Sequence, residues 1–247
     1  MKILVVMDVQ EKHKKWLAAA AAGHTLCYVP AGAVTAADVE HAAVIIGNVP
    51  LALLPKAAEL RWLQLNSAGA DAYCKAGVLP QGAILTNATG AYGLALAEHM
   101  LAQLLAMMKK LYLYHDNQKA ALWRDEGPVT SIEGATLLVV GMGDIGSSFA
   151  RRMKALGAYV IGMRRRSSAV PEEADEMGTM EQLDDCLARA DIVASSLPGT
   201  DATYQLFDAE RFARMKQGAY FLNIGRGTAV VQKDLCRAVR SGHLSGA

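Results

Sequence analysis

Cysteine is scarce in this 247-residue sequence: Cys27, Cys74, Cys186 and Cys236 are widely scattered and form no C-x-x-C pair. That spacing excludes a zinc cage or a disulfide framework and reads as four small buried hydrophobes in a reducing compartment, with no metal site. An excess of either charge is also missing. The 25 Lys and Arg against 24 Asp and Glu leave a net charge of +1, too little to draw in nucleic acid or an anionic membrane surface. Long apolar runs are absent as well. The opening run, residues 3–7, stops at Asp8 and is too brief for a signal-peptide core or a membrane span. No internal repeat or low-complexity linker interrupts the chain. The expectation is a cytoplasmic protein with neither a nucleic-acid nor a membrane partner.

What is present is apolar content, 52% of residues, ample for one large core or two smaller ones. Short apolar runs at 3–7, 25–29, 44–46, 62–65 and 84–86 alternate with helix-like stretches at 11–22, 36–41, 51–59 and 70–76. Gly23 is placed to end the first helix. Such alternation predicts parallel strands with crossover helices, a small α/β sheet of about five strands. A long helix is expected over 92–114, where Leu94, Leu101, Leu104, Leu105, Met108 and Leu111 recur at helical spacing. Roughly twenty helical residues span about 30 Å, so this helix either bridges two domains, packs across a dimer, or is a plain core helix. From residue 136 the alternation restarts, with strands at 136–140, 159–162, 191–195 and 219–223 and helices at 144–156, 180–189, 209–214 and 233–241. The fold class is therefore α/β, with two doubly wound parallel-sheet domains, 1–92 and 93–247, dividing near residues 90 to 95.

Gly141-Met142-Gly143-Asp144-Ile145-Gly146 follows a strand and opens a helix, the context in which G-x-G-x-x-G signals a dinucleotide. Gly141 permits the tight turn, Gly143 lets a pyrophosphate approach the backbone, and Gly146 lets helix pack close to strand. The anion then meets the free amides of Asp144 and Ile145 and the positive end of the helix dipole. A glycine-rich turn without ligand is the competing view. About twenty residues further on, where NAD-binding units place an acidic side chain for the ribose, this chain has Arg164-Arg165-Arg166-Ser167. Guanidinium forks pair with a 2′-phosphate, which a carboxylate would repel. The residues point to NADP(H) over NAD(H), the alternative being a solvated basic strand end.

The chain resembles the D-isomer-specific 2-hydroxyacid dehydrogenases, the group that includes phosphoglycerate dehydrogenase and the glyoxylate and hydroxypyruvate reductases. The resemblance runs through Asn66-Ser67-Ala68-Gly69-Ala70-Asp71, Asn87 to Ala97-Glu98-His99, the glycine turn, Leu197-Pro198 with Thr203, and Asn223-Ile224-Gly225-Arg226-Gly227. It implies a flavodoxin-like substrate domain and a Rossmann cofactor domain, hydride transfer between NADP(H) and a small 2-oxo or 2-hydroxy acid of the glyoxylate or hydroxypyruvate type, and a homodimer. By that resemblance Arg226 is the catalytic anion clamp, since an arginine fork serves both the carboxylate and the carbonyl oxygen that gains charge. Ser67, Ala68 and Gly69 match the loop whose amides hold the substrate carboxylate. Leu197, Pro198, Thr203, Asn223, Ile224 and Gly225 match segments that line the cofactor. Glu98, His99 and Asn87 are read as structural.

The pattern also departs from the family. The resemblance implies a glutamate and a proton-donating histidine further along, and the sequence stops at Gly246-Ala247 before either. The expectation is a piece of a longer protein, slow or inactive as it stands because general acid help is worth about two to four orders of magnitude. The rival function is a nucleotide-sensing binding protein or a corepressor-like pseudoenzyme.

Overall fold

The computed structural model describes residues 1–166 and 169–247, which divide into two compact units, Met1–Ala91 and Tyr92–Ala247. In the first unit, β1 (Lys2–Val5), β2 (Thr25–Tyr28), β3 (Ala42–Ile46), β4 (Trp62–Gln64) and β5 (Ile84–Thr86) form one sheet in the order β2-β1-β3-β4-β5. Every pairing is parallel, which is the flavodoxin-like order. Helices α1 (Glu11–Ala20) and α2 (Ala36–Glu40) are crossovers. Leu4, Val6, Val39, Ile45, Leu54, Leu63 and Leu65 build the core.

Two helices expected here are corrected. Residues 51–59 hold only a 3-10 segment, Leu51–Lys56, with Pro55 inside it; proline has no N–H to continue a helix. Residues 70–76 form turns, in which only the Tyr73 and Cys74 amides return to the Ala70 carbonyl.

The second unit opens with α3 (Gly93–Met108) and α4 (Leu111–Lys119). The single long helix of the sequence reading is thus two. Lys110 breaks it in the left-handed region, φ 54°, while the Lys109 ammonium donates to the Thr130 carbonyl and that of Lys110 to the Glu126 carbonyl. The buried stripe of α3 keeps only part of the expected series, Leu104 and Met108, with Leu101 and Leu105 packed partly buried beside it. Gly93, Ala97, Met100, Leu104 and Met108 face inward, whereas Leu94 and Leu111 are exposed. Small residues at the start of that stripe let α3 lie close to α5 (Asp144–Ala155).

The strands β6 (Thr136–Val140), β7 (Tyr159–Met163), β8 (Glu176–Gly178), β9 (Ile192–Ser195), β10 (Ala219–Asn223) and β11 (Leu244–Gly246) pair in the order β11-β10-β9-β6-β7-β8, all parallel. This is the Rossmann order read from its far edge. Both faces are buried, as all-parallel sheets require. Along β6, Leu137 and Val139 face a cluster with Phe149 and Met153 of α5, while Leu138 and Val140 face one with Phe207, Phe212 and Phe221. The opposite face carries α6 (Leu183–Arg189), α7 (Ala209–Arg214) and α8 (Gln232–Arg240). Connections leave β6 toward β7 on one side, and β9 lies against it on the other, so the strand order reverses between β6 and β9. In open α/β sheets ligands bind at the carboxyl ends of the strands at such a reversal.

The cysteine reading needs correction too. Cys186 is buried and Cys27 partly so, but Cys74 and Cys236 are exposed, Cys74 in the turns after Ala70 and Cys236 on the outer side of α8. Among the described residues no helix is long and apolar enough to cross a membrane, and no group of three His, Cys, Asp or Glu is gathered.

Candidate functional site

The strand β6 ends at Val140, and the chain turns through Gly141 at φ +107°, a conformation glycine adopts without steric cost. Two amides anchor the turn, Gly141 N–H and Met142 N–H donating to the Met163 carbonyl at 3.1 and 3.0 Å. The three glycines divide the work. A methyl on Gly146 would sit 2.1 Å from the Gly141 oxygen, and one on Gly141 would lie 3.0 Å from Ser196 Oγ. A methyl on Gly143 would meet nothing within 4 Å, so open space lies where a ligand would approach. Gly143 is also the cap of α5, and no side chain caps this helix. Among the described residues, the amides of Gly143, Asp144, Ile145 and Gly146 have no acceptor. Four unsatisfied donors at the positive end of a twelve-residue helix form a site for an anion. The Asp144 carboxylate is turned from this opening, since a methyl on Gly93 would meet its Oδ1 at 2.6 Å.

The arginines after β7 separate in role. Arg164 Nε donates to the Met142 carbonyl at 3.0 Å, so its guanidinium braces the glycine turn. Arg165 and Arg166 are exposed. Ser167 lies outside the described residues. The Arg151 guanidinium, hydrogen-bonded to Glu173 at 2.7 Å, holds that carboxyl below the usual carboxylate range, with a smaller contribution from Arg164.

Beyond β9, Ser196 donates its hydroxyl to the Gly141 carbonyl at 2.5 Å. Leu197 is half-buried and Pro198 exposed. Thr203 is engaged inside its own loop, donating to the Pro198 carbonyl at 2.6 Å and accepting from the Thr200 amide at 2.9 Å. Beyond β10, Asn223 clamps the next loop with both ends of its amide, donating to the Arg226 carbonyl at 3.0 Å and accepting from the Gly225 amide at 3.2 Å. Ile224 donates to the Ser195 carbonyl at 2.9 Å. A methyl on Gly225 would lie 2.4 Å from the Leu197 oxygen, so the two loops touch through backbone. Arg226 is half-buried and donates from Nη1 to the Gly225 carbonyl at 3.3 Å. The glycine turn, Arg164, the Leu197 segment and the Arg226 loop therefore gather at the carboxyl ends of β6, β7, β9 and β10. Glu98 faces Arg152 of α5 at 3.6 Å.

Ser67, Ala68 and Gly69 belong to the first unit, after β4. Each carbonyl of this loop is tied. Ala88 N–H donates to Ser67 O at 3.0 Å, Asn87 Nδ2 to Ala68 O at 2.7 Å, and Ser67 Oγ to Gly69 O at 2.9 Å. Asn48, which sequence reasoning passed over, donates to Ser67 Oγ at 3.0 Å. Among the described residues, the amides of Ala68 and Gly69 have no acceptor. Ser196 was also passed over. Neither Asn48 nor Ser196 sits in a spacing motif, and only the pairing of distant strands reveals them.

Comparisons with known proteins give the family. Residues 101–247 match the family described as D-isomer specific 2-hydroxyacid dehydrogenase, NAD binding domain. An uncharacterised protein of Streptomyces coelicolor is 35% identical over 204 residues, covering 83% of this chain and 72% of its own. A D-isomer specific 2-hydroxyacid dehydrogenase family protein of Aeromonas salmonicida has a similar structure, with a TM-score of 0.85 and 32% identity over 99% of this chain and 79% of that one. An NADPH-dependent glyoxylate/hydroxypyruvate reductase of Sinorhizobium meliloti, solved with NADP and sulfate, gives 0.82 at 25% identity over 100% and 79%. The chain belongs to the D-isomer-specific 2-hydroxyacid dehydrogenase family of NAD(P)-dependent oxidoreductases, and its second unit carries the NAD-binding domain.

Proposed function

We propose that this protein moves a hydride between NADP(H) and a small 2-oxo or 2-hydroxy acid of the glyoxylate or hydroxypyruvate type. The observation that carries the reading is the set of four acceptor-free amides at the start of α5, beside Gly143 and its open approach. A pyrophosphate satisfies those donors and gains from the helix dipole. The nicotinamide group supplies the hydride when bound. The family description names NAD and the Sinorhizobium structure holds NADP, so family membership leaves the choice to residues after β7. There Arg165 and Arg166 are exposed and no carboxylate follows Met163 directly, which favours a 2′-phosphate.

Each unit has its own part in handling the substrate. Arg226 binds the 2-oxo acid through a planar fork that suits a carboxylate and steadies a carbonyl oxygen as it gains charge. The Ser67, Ala68 and Gly69 loop offers amides to a carboxylate, its carbonyls being already tied. Leu197, Pro198 and Ile224 line the dinucleotide, while Thr203, Asn223 and Gly225 keep those loops in shape. A homodimer is supported by the large apolar side chains exposed on and after α4, Leu111, Tyr112, Leu113, Leu122 and Trp123, because a stretch rich in exposed large apolar residues is a mark of interfaces.

The test is a set of Michaelis constants, measured on full-length protein, for NADPH and NADH with a panel of short 2-oxo acids. NADPH oxidation with a lower constant for NADPH supports the reading. A clear preference for NADH removes the NADP assignment, and tight NADPH binding with no turnover on any acid replaces the enzyme by a cofactor sensor.

A further inference from the structure

We propose that Ser196 is a positioning residue for the dinucleotide site, setting the peptide planes of the glycine turn so that the Gly143 amide and its successors face the pyrophosphate. The inference rests on the cofactor reading above and deepens it. The chain through the turn has no cis peptide bond, and in a trans peptide the C=O and N–H point in opposite directions. Fixing one end of a plane therefore aims the other.

Three successive planes are fixed in this way. In the first, the Val140 carbonyl accepts from Ser196 N–H at 3.0 Å while Gly141 N–H donates to Met163. In the second, the Gly141 carbonyl accepts from Ser196 Oγ at 2.5 Å while Met142 N–H donates to Met163. In the third, the Met142 carbonyl accepts from Arg164 Nε, which turns the Gly143 N–H away from that guanidinium. Gly143 is the first amide in the turn with no acceptor among the described residues. Ser196 thus supplies two of the three donors that orient the approach to it.

Its hydroxyl also fills a space that only glycines leave. Methyl groups on Gly141 or Gly146 would each lie 3.0 Å from Ser196 Oγ, and one on Gly146 would press on the Gly141 oxygen itself. With the hydroxyl removed, that carbonyl has no donor among the described residues and no reason to hold its plane. An unmet buried acceptor is costly, and a turn that must reorder on binding loses affinity. The segment that follows seats a second loop, since Gly225 lies against the Leu197 backbone.

Ser195 provides an internal comparison. Its hydroxyl is fully buried and has no hydrogen-bond partner among the described residues. The S195A variant therefore removes a buried serine hydroxyl without touching the turn. NADP+ and 2′-AMP are titrated calorimetrically into wild type, S196A and S195A, and melting temperatures are measured without ligand. We expect S196A to bind NADP+ about tenfold more weakly, the equivalent of one hydrogen bond. It should bind 2′-AMP, which carries no pyrophosphate, as wild type does, while its melting temperature without ligand falls by a few degrees for the unmet carbonyl, and S195A should match wild type throughout. The proposal is overturned if S196A keeps full NADP+ affinity, if it loses both ligands equally, or if S195A shows the same loss. Wild-type protein that binds neither NADP+ nor NADH overturns the cofactor reading instead.

Discussion

Asn48 and Asn66 exchange identical hydrogen bonds: the Asn48 amide donates to Asn66 Oδ1 at 3.1 Å, and the Asn66 amide donates to Asn48 Oδ1 at the same distance. Each side chain thus satisfies the other's backbone where β3 and β4 end, two positions at which the sheet no longer supplies partners. The spare Nδ2 of Asn48 then reaches Ser67 Oγ, whose own proton goes to Gly69 O. A chain of polar contacts runs from one strand end to the proposed carboxylate loop.

Replacing Asn48 by alanine should therefore do two things. The Asn66 amide and Ser67 hydroxyl lose partners, which costs about 1–2 kcal/mol of stability. Binding of oxamate, an isostere of a 2-oxo acid, to the NADP-loaded protein should weaken several-fold as the loop loosens. Urea melts and an oxamate titration measure the two effects. An N48A protein with unchanged oxamate affinity would detach Asn48 from the substrate.

The glycines of the turn allow a sharper contrast. Gly143 has φ −87° and open space where a methyl would go, so G143A should change the ligand-free stability by no more than about 1 kcal/mol. The same methyl occupies the approach of the pyrophosphate, and NADP+ affinity should fall more than about tenfold, or ~1.4 kcal/mol. G146A behaves differently, because its methyl meets a backbone oxygen that cannot rotate away. It should cost at least about 2 kcal/mol in the absence of any ligand. Chemical denaturation with and without NADP+ separates the cases. Equal damage to the two apo proteins would mean that Gly143 is structural.

The fold was legible because both sheets are parallel and buried, so β6 reads Leu137, Leu138, Val139, Val140 without interruption and the alternation with helices marks each crossover. The glycine turn was legible because its spacing has a steric cause, visible in the contacts of Gly141 and Gly146. Two strands escaped notice. β8 is Glu-Met-Gly and β11 is Leu-Ser-Gly, three residues each and without apolar run or alternation; their place is set by the neighbouring strand. The break at Lys110 was hidden because lysine is a good helix former, and only its bond to Glu126 shows why the helix stops there. Arg164 was found by type and place, but its bond to Met142 was not. That bond depends on β6 and β7 lying side by side.

The edge strand β8 suggests a pH effect. Glu176 receives both Arg189 nitrogens, at 2.8 and 2.6 Å, and that hydrogen-bonded pair holds its carboxyl below the usual carboxylate range. The next residue back, Asp175, is lowered in the same direction by the Val160 amide. A carboxyl whose folded value is depressed contributes stability that is fully present above its unfolded value, about 4.3 for glutamate, and is lost as pH falls through the folded value. Stability should therefore decline below about pH 4, and E176Q should decline less steeply over the same window. Urea midpoints at pH 7, 5 and 3 measure this, and parallel curves for the two proteins would show that the pair carries no linkage.

The arginines after β7 should fail in two distinct ways. Arg164 is bound to the Met142 carbonyl, inside the turn proposed to hold the pyrophosphate of either cofactor, so R164Q should weaken NADPH and NADH alike, by about three- to tenfold for one hydrogen bond. Arg165 and Arg166 are exposed and touch no part of that turn among the bonds described. Their neutralisation as R165Q/R166Q should leave NADH unchanged and weaken NADPH by about ten- to a hundredfold, the range for losing charge-assisted bonds to a phosphate. Because the pair is exposed, salt should erode that preference in the wild type. Fluorescence titration of both cofactors at two salt concentrations decides the matter. An NADPH affinity that survives R165Q/R166Q would transfer phosphate recognition to Arg164 or remove it from this strand end altogether.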